Sequence, residues 1–269
     1  MKNLFVLLLA LLLPLSACAG TRLFAVNVGK GDALLLMGEG YTCLIDTASK
    51  DREDGVRAAL DRFGITHLDA VFITHTDKDH AGGLKWLDGF PVDALYASSY
   101  HTMKGDAKHP AVKAAARMGL ALQWLKAGDE LPLSDAARLR VLAPETPLPD
   151  ENDNSLVMML ECPDGRILFT GDMELDQEAL LLASGNGLSC HVLKVPNHGD
   201  DDACSRSLID ACSAAYALIS TSSFDKPDTP SPRVLQDLRD AGCTVCCTQD
   251  SDLGILFTLR GGDVYPDIL

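Results

Sequence analysis

Residues Leu68 to Ile73 read "LDAVFI", apolar enough for a buried strand, and open directly onto Thr74-His75-Thr76-Asp77-Lys78-Asp79-His80-Ala81-Gly82-Gly83. No other join in the chain constrains the fold as tightly. Two imidazoles and two carboxylates fall within six positions. Side chains alternate along a strand, so His75 and Asp77 can point the same way. Asp79 and His80 begin the next turn and can face them. Four hard or borderline ligands around one loop suit a metal, and a pair of dications in particular. A solvated charged turn is the alternative. Such turns are built from aspartate and lysine, not from histidines interleaved with aspartates ahead of "AGG".

The rest of the chain mixes strands and helices throughout. "RLFAVNV", "DALLLM" and "YTCLID" read as strands, the first two joined by the turn "GKGD" (Gly29 to Asp32). Arg52 to Gly64 has helical spacing and ends on glycine. "DHAGGLKWL" starts a helix despite its glycines. Strands then alternate with helices through "VDALYAS", "PAVKAAARMG", "ARLRVLA", "SLVMMLE", "RILFTG", "MELDQEALLLAS", "HVLKVP", "RSLIDAC", "AYALIS" and "PRVLQDLRDAG", and "CTVCCT" and "GILFTL" close the series. The longest polar loop is Pro144 to Asn154. No repeat of fixed period is present. With 269 residues, 47% of them hydrophobic, the chain can bury one substantial core. The pattern predicts layered α/β packing, which periodicity alone does not separate from a doubly wound sheet.

"THTDKDHAGG" resembles the metal motif of the metallo-β-lactamase superfamily, HxHxDH, in its HxDxDH variant. "CLIDTAS", "ILFTGDME" and "LKVPNHGD" resemble three further motifs of that superfamily, in the same order. "VNVGKGDALLL" and "NDNSLVMMLE" resemble the hydrolase domain of ComEC-type competence proteins, with Lys30 where that group has glutamine. The resemblance runs from about Leu23 to Leu256. It implies a four-layer αββα sandwich with the site at one edge of its two sheets. It also implies roles: His75 and Asp77 on one metal, Asp79, His80 and His198 on the other, Asp172 bridging, and a shared water as nucleophile, with Asp79 and Asp172 the catalytic carboxylates. The cofactor expected is two divalent ions, zinc or manganese, about 3.5–4 Å apart. Asp46 is expected to orient a ligand rather than bind metal.

Three departures qualify the resemblance. The group's paired histidines are Asn197-His198 here. The superfamily's mid-chain histidine ligand is absent; Glu151, Asn152, Asp153, Asn154 or a water would have to replace it, and the favoured replacement is Asn154, just ahead of a strand. Thr229 stands where the ComEC pattern carries a histidine. Asp32, at the end of the glycine turn, is a further candidate, since such a turn brings backbone N–H groups and a carboxylate to a strand end. Lys30 could meet an anionic substrate. His191 opens a strand near the site and could touch metal or substrate. His67, His101 and His109 are expected to face solvent.

The N-terminus is different material. Lys2 precedes an apolar run, Leu4 to Leu13, too short for a comfortable span, followed by Leu15-Ser16-Ala17-Cys18, which resembles a bacterial lipobox. Residues 1–17 are therefore expected to be a signal peptide, Cys18 the lipidation site, and 18–269 one hydrolase domain held at the outer face of a membrane. Ordinary cleavage near Ala17 to Ala19, with secretion, is the alternative. The other eight cysteines lie mostly in apolar runs, and several are expected to be buried free thiols. A net charge of −15 repels nucleic-acid phosphate at long range, although bound dications can reverse the sign locally. The substrate expected is a phosphodiester or another small molecule. Lactam, thioester or lactone hydrolysis, and a metal-stabilised binding module without catalysis, are the competing readings. Oligomeric state is not legible.

Overall fold

Leu23 and Ala25 pack against Met158, Leu160 and Phe257, while their neighbours Phe24 and Val26 pack against Val56 and Leu60 of a helix. Each strand thus alternates between two apolar surroundings, as a sheet buried on both faces requires. The computed structural model describes residues 20–269. The expected signal segment, lipobox and Cys18 lie outside the described residues. Among the described residues, no helix is long and apolar enough to cross a membrane.

Two sheets stack face to face. One has eight strands. Tyr41–Ile45, Leu68–Ile73, Val92–Ser98 and Leu122–Leu125 run parallel, and Leu34–Gly38, Thr21–Val26, Gly254–Arg260 and Asp263–Ile268 continue it antiparallel. The other has seven. Thr244–Cys247, Tyr216–Ile219, Val192–Lys194 and Gly165–Phe169 run parallel, and Val157–Cys162, Arg138–Ala143 and Glu130–Pro132 follow antiparallel. Between them lies a core that includes Leu36, Ile45, Phe72, Val141, Met158, Phe169 and Leu218. The helices Glu53–Phe63 and Pro110–Met118 cover the outer face of the first sheet. Leu175–Ala183, Arg206–Cys212 and Pro232–Asp240 cover the second. This is the four-layer αββα sandwich. The eight cysteines of the described residues are free, most of them buried.

Local signals agree with the element ends. Gly64 closes the first helix in the left-handed region at φ 66°. Ser205 and Ser231 accept bonds from the N–H groups of Leu208 and Val234 at the starts of their helices. One expectation is corrected: the helix after Asp77 spans only Lys78–Ala81 and gives way to turns. The two glycines that follow supply no side chains to hold a longer helix. Parallel strands put their C-terminal ends on one edge of an α/β sheet, and ligand sites gather there. Here Ile45, Ile73, Phe169 and Lys194 each lead into a loop at that edge.

Candidate metal centre

From the first sheet come Asp46, His75, Asp79 and His80, and from the second Asp172 and His198. Their loops are tight. Asp46, Asn197 and His198 all have left-handed backbone, at φ 59°, 43° and 53°. Gly171 (φ 53°) lets its turn close on Ser155, where an added Cβ would meet Ser155 Cβ at 2.8 Å. Ser155 Oγ then accepts from the Asp172 N–H at 3.1 Å.

Each histidine is oriented by its Nδ1. His80 Nδ1–H donates to Asp46 Oδ2 at 2.8 Å, and His198 Nδ1–H donates to the Ser220 carbonyl at 2.6 Å. His75 Nδ1 faces the Thr74 and Ser155 hydroxyls at 3.0 and 3.3 Å. All three rings therefore present Nε2. The Nε2 atoms of His80 and His198 lie 3.3 Å apart, and Asp172 Oδ2 lies 3.1 and 3.0 Å from them. Asp79 Oδ2 is 3.7 Å from His198 Nε2. Ligand atoms of Asp79, His80, Asp172 and His198 lie within 4.8 Å of one another. His75 Nε2 is buried without a hydrogen-bond partner among the described residues, and its ring centroid is 4.2 Å from that of His80. Two Nε2 atoms converging beside a carboxylate oxygen can share a cation between them. This donor set fits a zinc or manganese ion.

The electrostatics express the same crowding. Burial would raise the pKa of Asp172, but His198, His80 and Lys194 hold it well below the usual carboxylate range. Burial also opposes charge on His80, yet Asp172 and Asp46 outweigh it and raise its pKa well above normal. His75 is pushed down by burial and by His80. Asp79 resists burial through His80 and Lys30 and falls to about 2.

The other expected residues are placed as follows. Asp46 accepts from Thr74 N–H and Oγ1 as well as from His80, so it holds a ligand rather than converging with the four. Asp32 is buried, pairs with Lys194 at 2.7 Å, and lies 3.9 Å from His80 Nδ1 and from His198 Nδ1. Asp77 is exposed and outside the converging group. The strand ends at Ile73, so alternation no longer carries Asp77 to the side of His75. Asn154 is corrected too. Its Oδ1 accepts from Leu148 N–H and its Nδ2 donates to the Leu148 and Asp150 carbonyls, so the side chain is used up folding its own loop. Asp153 accepts from Glu174 and Gln177 N–H at the start of a helix, and Asn152 donates to Glu174. Glu151 bonds Thr76 and Thr102, tying the metal loop to its neighbour. His191 accepts from Arg166 N–H and takes no part. His67 is half-exposed just ahead of the strand Leu68–Ile73, but His109 is 1% exposed and His101 nearly buried, against expectation, because both pack on Trp124.

Sequence reasoning missed Lys194. It is fully buried, 2.7 Å from Asp32 Oδ2, 3.4 Å from Asp172 Oδ1 and 2.9 Å from the Gly171 carbonyl. The signal was a lone lysine inside the apolar run "HVLKVP". Thr229 is buried with its hydroxyl unpartnered among the described residues.

Residues 26–222 match the model of the metallo-beta-lactamase superfamily. ComE operon protein 3 of Bacillus subtilis is 31% identical over 212 residues, which is 76% of this chain but only 26% of that relative's length. Among solved structures, the metallo-beta-lactamase fold protein YhfI of Bacillus subtilis superposes with a TM-score of 0.59 at 13% identity, covering 92% of this chain and 100% of that one. A diphosphatase of the PhnP family superposes at 0.54 and 14% identity, covering 89% and 99%. At such identities the two structures speak to fold alone.

Proposed function

The chain belongs to the metallo-β-lactamase superfamily, a metallohydrolase fold, and from that premise we propose that it is a metal-dependent hydrolase of a phosphodiester. The observation that carries the reading is the convergence of two oriented Nε2 atoms and two carboxylates on one buried point. Divalent ions held there would lower the pKa of a water and stabilise negative charge developing on the substrate.

The chain's own residues do the rest. Asp79, His80, Asp172 and His198 would hold the principal ion. His75 is the buried contact left for a second, whose remaining positions water would fill. Asp46 and the Ser220 carbonyl fix the tautomers of His80 and His198, so that both offer a lone pair. Lys194 holds Asp172 Oδ1 and leaves Oδ2 facing the histidines. No serine or cysteine nucleophile is needed.

The phosphodiester class is supported by the ComEC-like motifs. Superfamily members act on several bonds, so the substrate is settled by assay. Protein loaded with zinc or manganese is offered a bis-aryl phosphodiester, a lactam, a thioester and a lactone. Preferential turnover of the phosphodiester is expected. Turnover of another class alone reassigns the bond, and none at all favours a binding module.

The lipobox-like Leu15-Ser16-Ala17-Cys18 supports attachment at the outer face of a membrane. Two or more acyl chains would suffice, at about 0.8 kcal/mol per buried CH₂. Mass spectrometry of the mature terminus tests it. An unmodified terminus beyond Cys18 means ordinary secretion.

A further inference from the structure

Two lysines reach the metal centre, and they differ in access. Lys194 is fully buried beneath Asp32 and Asp172 and cannot meet a ligand. Lys30 keeps 23% of its side chain exposed while its Nζ lies 2.9 Å from Asp79 Oδ2. We infer that Lys30 is the contact for an anionic oxygen of the substrate and selects charged over neutral substrates. This rests on the hydrolase reading above and deepens it.

The turn that carries Lys30 is built to hold it there. Gly31 sits at φ +139°, and an added Cβ would come 2.6 Å from the Asp79 carbonyl, so only glycine allows this approach. The N–H of Asp32 donates to that same carbonyl at 3.1 Å. From the other side, Asp225 accepts from the Lys30 N–H at 3.2 Å and is itself paired with Arg52 at 3.1 Å. The backbone is thus pinned on both sides of the lysine, and the ammonium stands at the rim of the ligand cluster. A chain of net charge −15 repels anions elsewhere. With Asp79 engaged on a cation, the Lys30 ammonium would be free to donate to an incoming anion. Lysine is a compact point charge with three donors, suited to a phosphoryl oxygen. A neutral ester or lactam gains nothing from it.

The test compares the parent with Lys30→Gln, Lys30→Arg and, as a charge-matched control on exposed surface, Lys85→Gln. Inorganic phosphate is titrated calorimetrically into each metal-loaded protein, with metal content measured alongside. Lys30→Gln is expected to weaken phosphate binding about ten- to a hundredfold, the scale of one charge-assisted bond. Its metal content should equal the parent's, Lys30→Arg should retain most of the binding, and Lys85→Gln all of it. With a phosphodiester substrate the loss should fall on KM, and a neutral substrate should not respond. Unchanged phosphate binding in Lys30→Gln, a fall in metal content with it, or no phosphate binding by the parent overturns the inference. The phosphate titration reads Lys30 even if no substrate on the panel turns over, so failure of the phosphodiester reading is seen separately.

Discussion

Asp46 Oδ2 lies 2.8 Å from His80 Nδ1, both side chains fully buried, and this single contact decides which nitrogen of His80 faces the metal cluster. Asp46→Asn tests it. Asparagine tolerates the left-handed backbone at φ 59° and can still accept from the Thr74 N–H. Its amide N–H₂ would face Nδ1, however, and favour the tautomer with hydrogen on Nε2. Metal affinity should fall about 10–100-fold in a folded protein. Competition against a chelating dye measures it; affinity equal to the parent's would remove Asp46 from this role.

Removing Lys194 leaves two buried carboxylates facing each other. Lys194→Met should destabilise the chelated protein by about 3–5 kcal/mol in urea unfolding. Adding Asp32→Asn should recover part of that loss, because it removes one of the two stranded charges. Strict additivity of the two substitutions would show that the pair at 2.7 Å is not coupled.

Asp172→Ala should lose the metal and with it several powers of ten in turnover of whichever substrate responds. Thr229→Val should do the opposite of harm. It replaces a buried, unpartnered hydroxyl by a methyl group, so stability should hold or rise by about 1 kcal/mol with turnover unchanged. Circular dichroism and metal analysis accompany both. Near-full turnover by a folded Asp172→Ala protein would rule out its role at the metal.

His109 makes the fold sensitive to acid. Burial and the neighbouring His101 push its pKa down to about 4, with Glu151 and Asp106 opposing weakly. An unfolded histidine binds its proton near pH 6.5. Between those values the unfolded chain holds more protons, so this contribution is complete above about pH 6.5 and disappears as pH falls toward 4. His109→Asn can keep the bond that Nδ1 accepts from Ala111 N–H at the start of the helix. The variant should lose less stability than the parent between pH 7 and pH 5, by urea midpoints. Parallel losses would assign the acid sensitivity elsewhere.

Much of this was visible in the chain because motif order and strand pattern are linear properties. "LDAVFI" and "SLVMMLE" are strands, and the apolar character of both alternating sets foretold sheets covered on both faces. Asp79, His80, Asp172 and His198 stand just beyond strand ends, where sequence position nearly fixes spatial position. Reading failed where side-chain direction mattered. Asp77 was read as if its strand continued. Asn154 precedes a strand, but nothing linear tells that its amide folds back on Leu148. His109 looked like loop surface because its cover, Trp124, is remote in sequence. Lys194 carries no motif of its own, and only the third dimension brings it beneath Asp32 and Asp172.

The converging ligands come from both layers of the sandwich: Asp79 and His80 hang from the eight-stranded sheet, Asp172 and His198 from the seven-stranded one. An ion bound among them is therefore a cross-link, closing a loop of roughly ninety residues between His80 and Asp172, long enough for the restriction of the unfolded chain to be substantial. Unlike a covalent staple, it is set by mass action. The rigidity with which the two halves are clasped at this edge then becomes a function of free metal concentration, and the amides of the loops around Asp46, Gly171 and Asn197 are where hydrogen exchange would register the clasp opening.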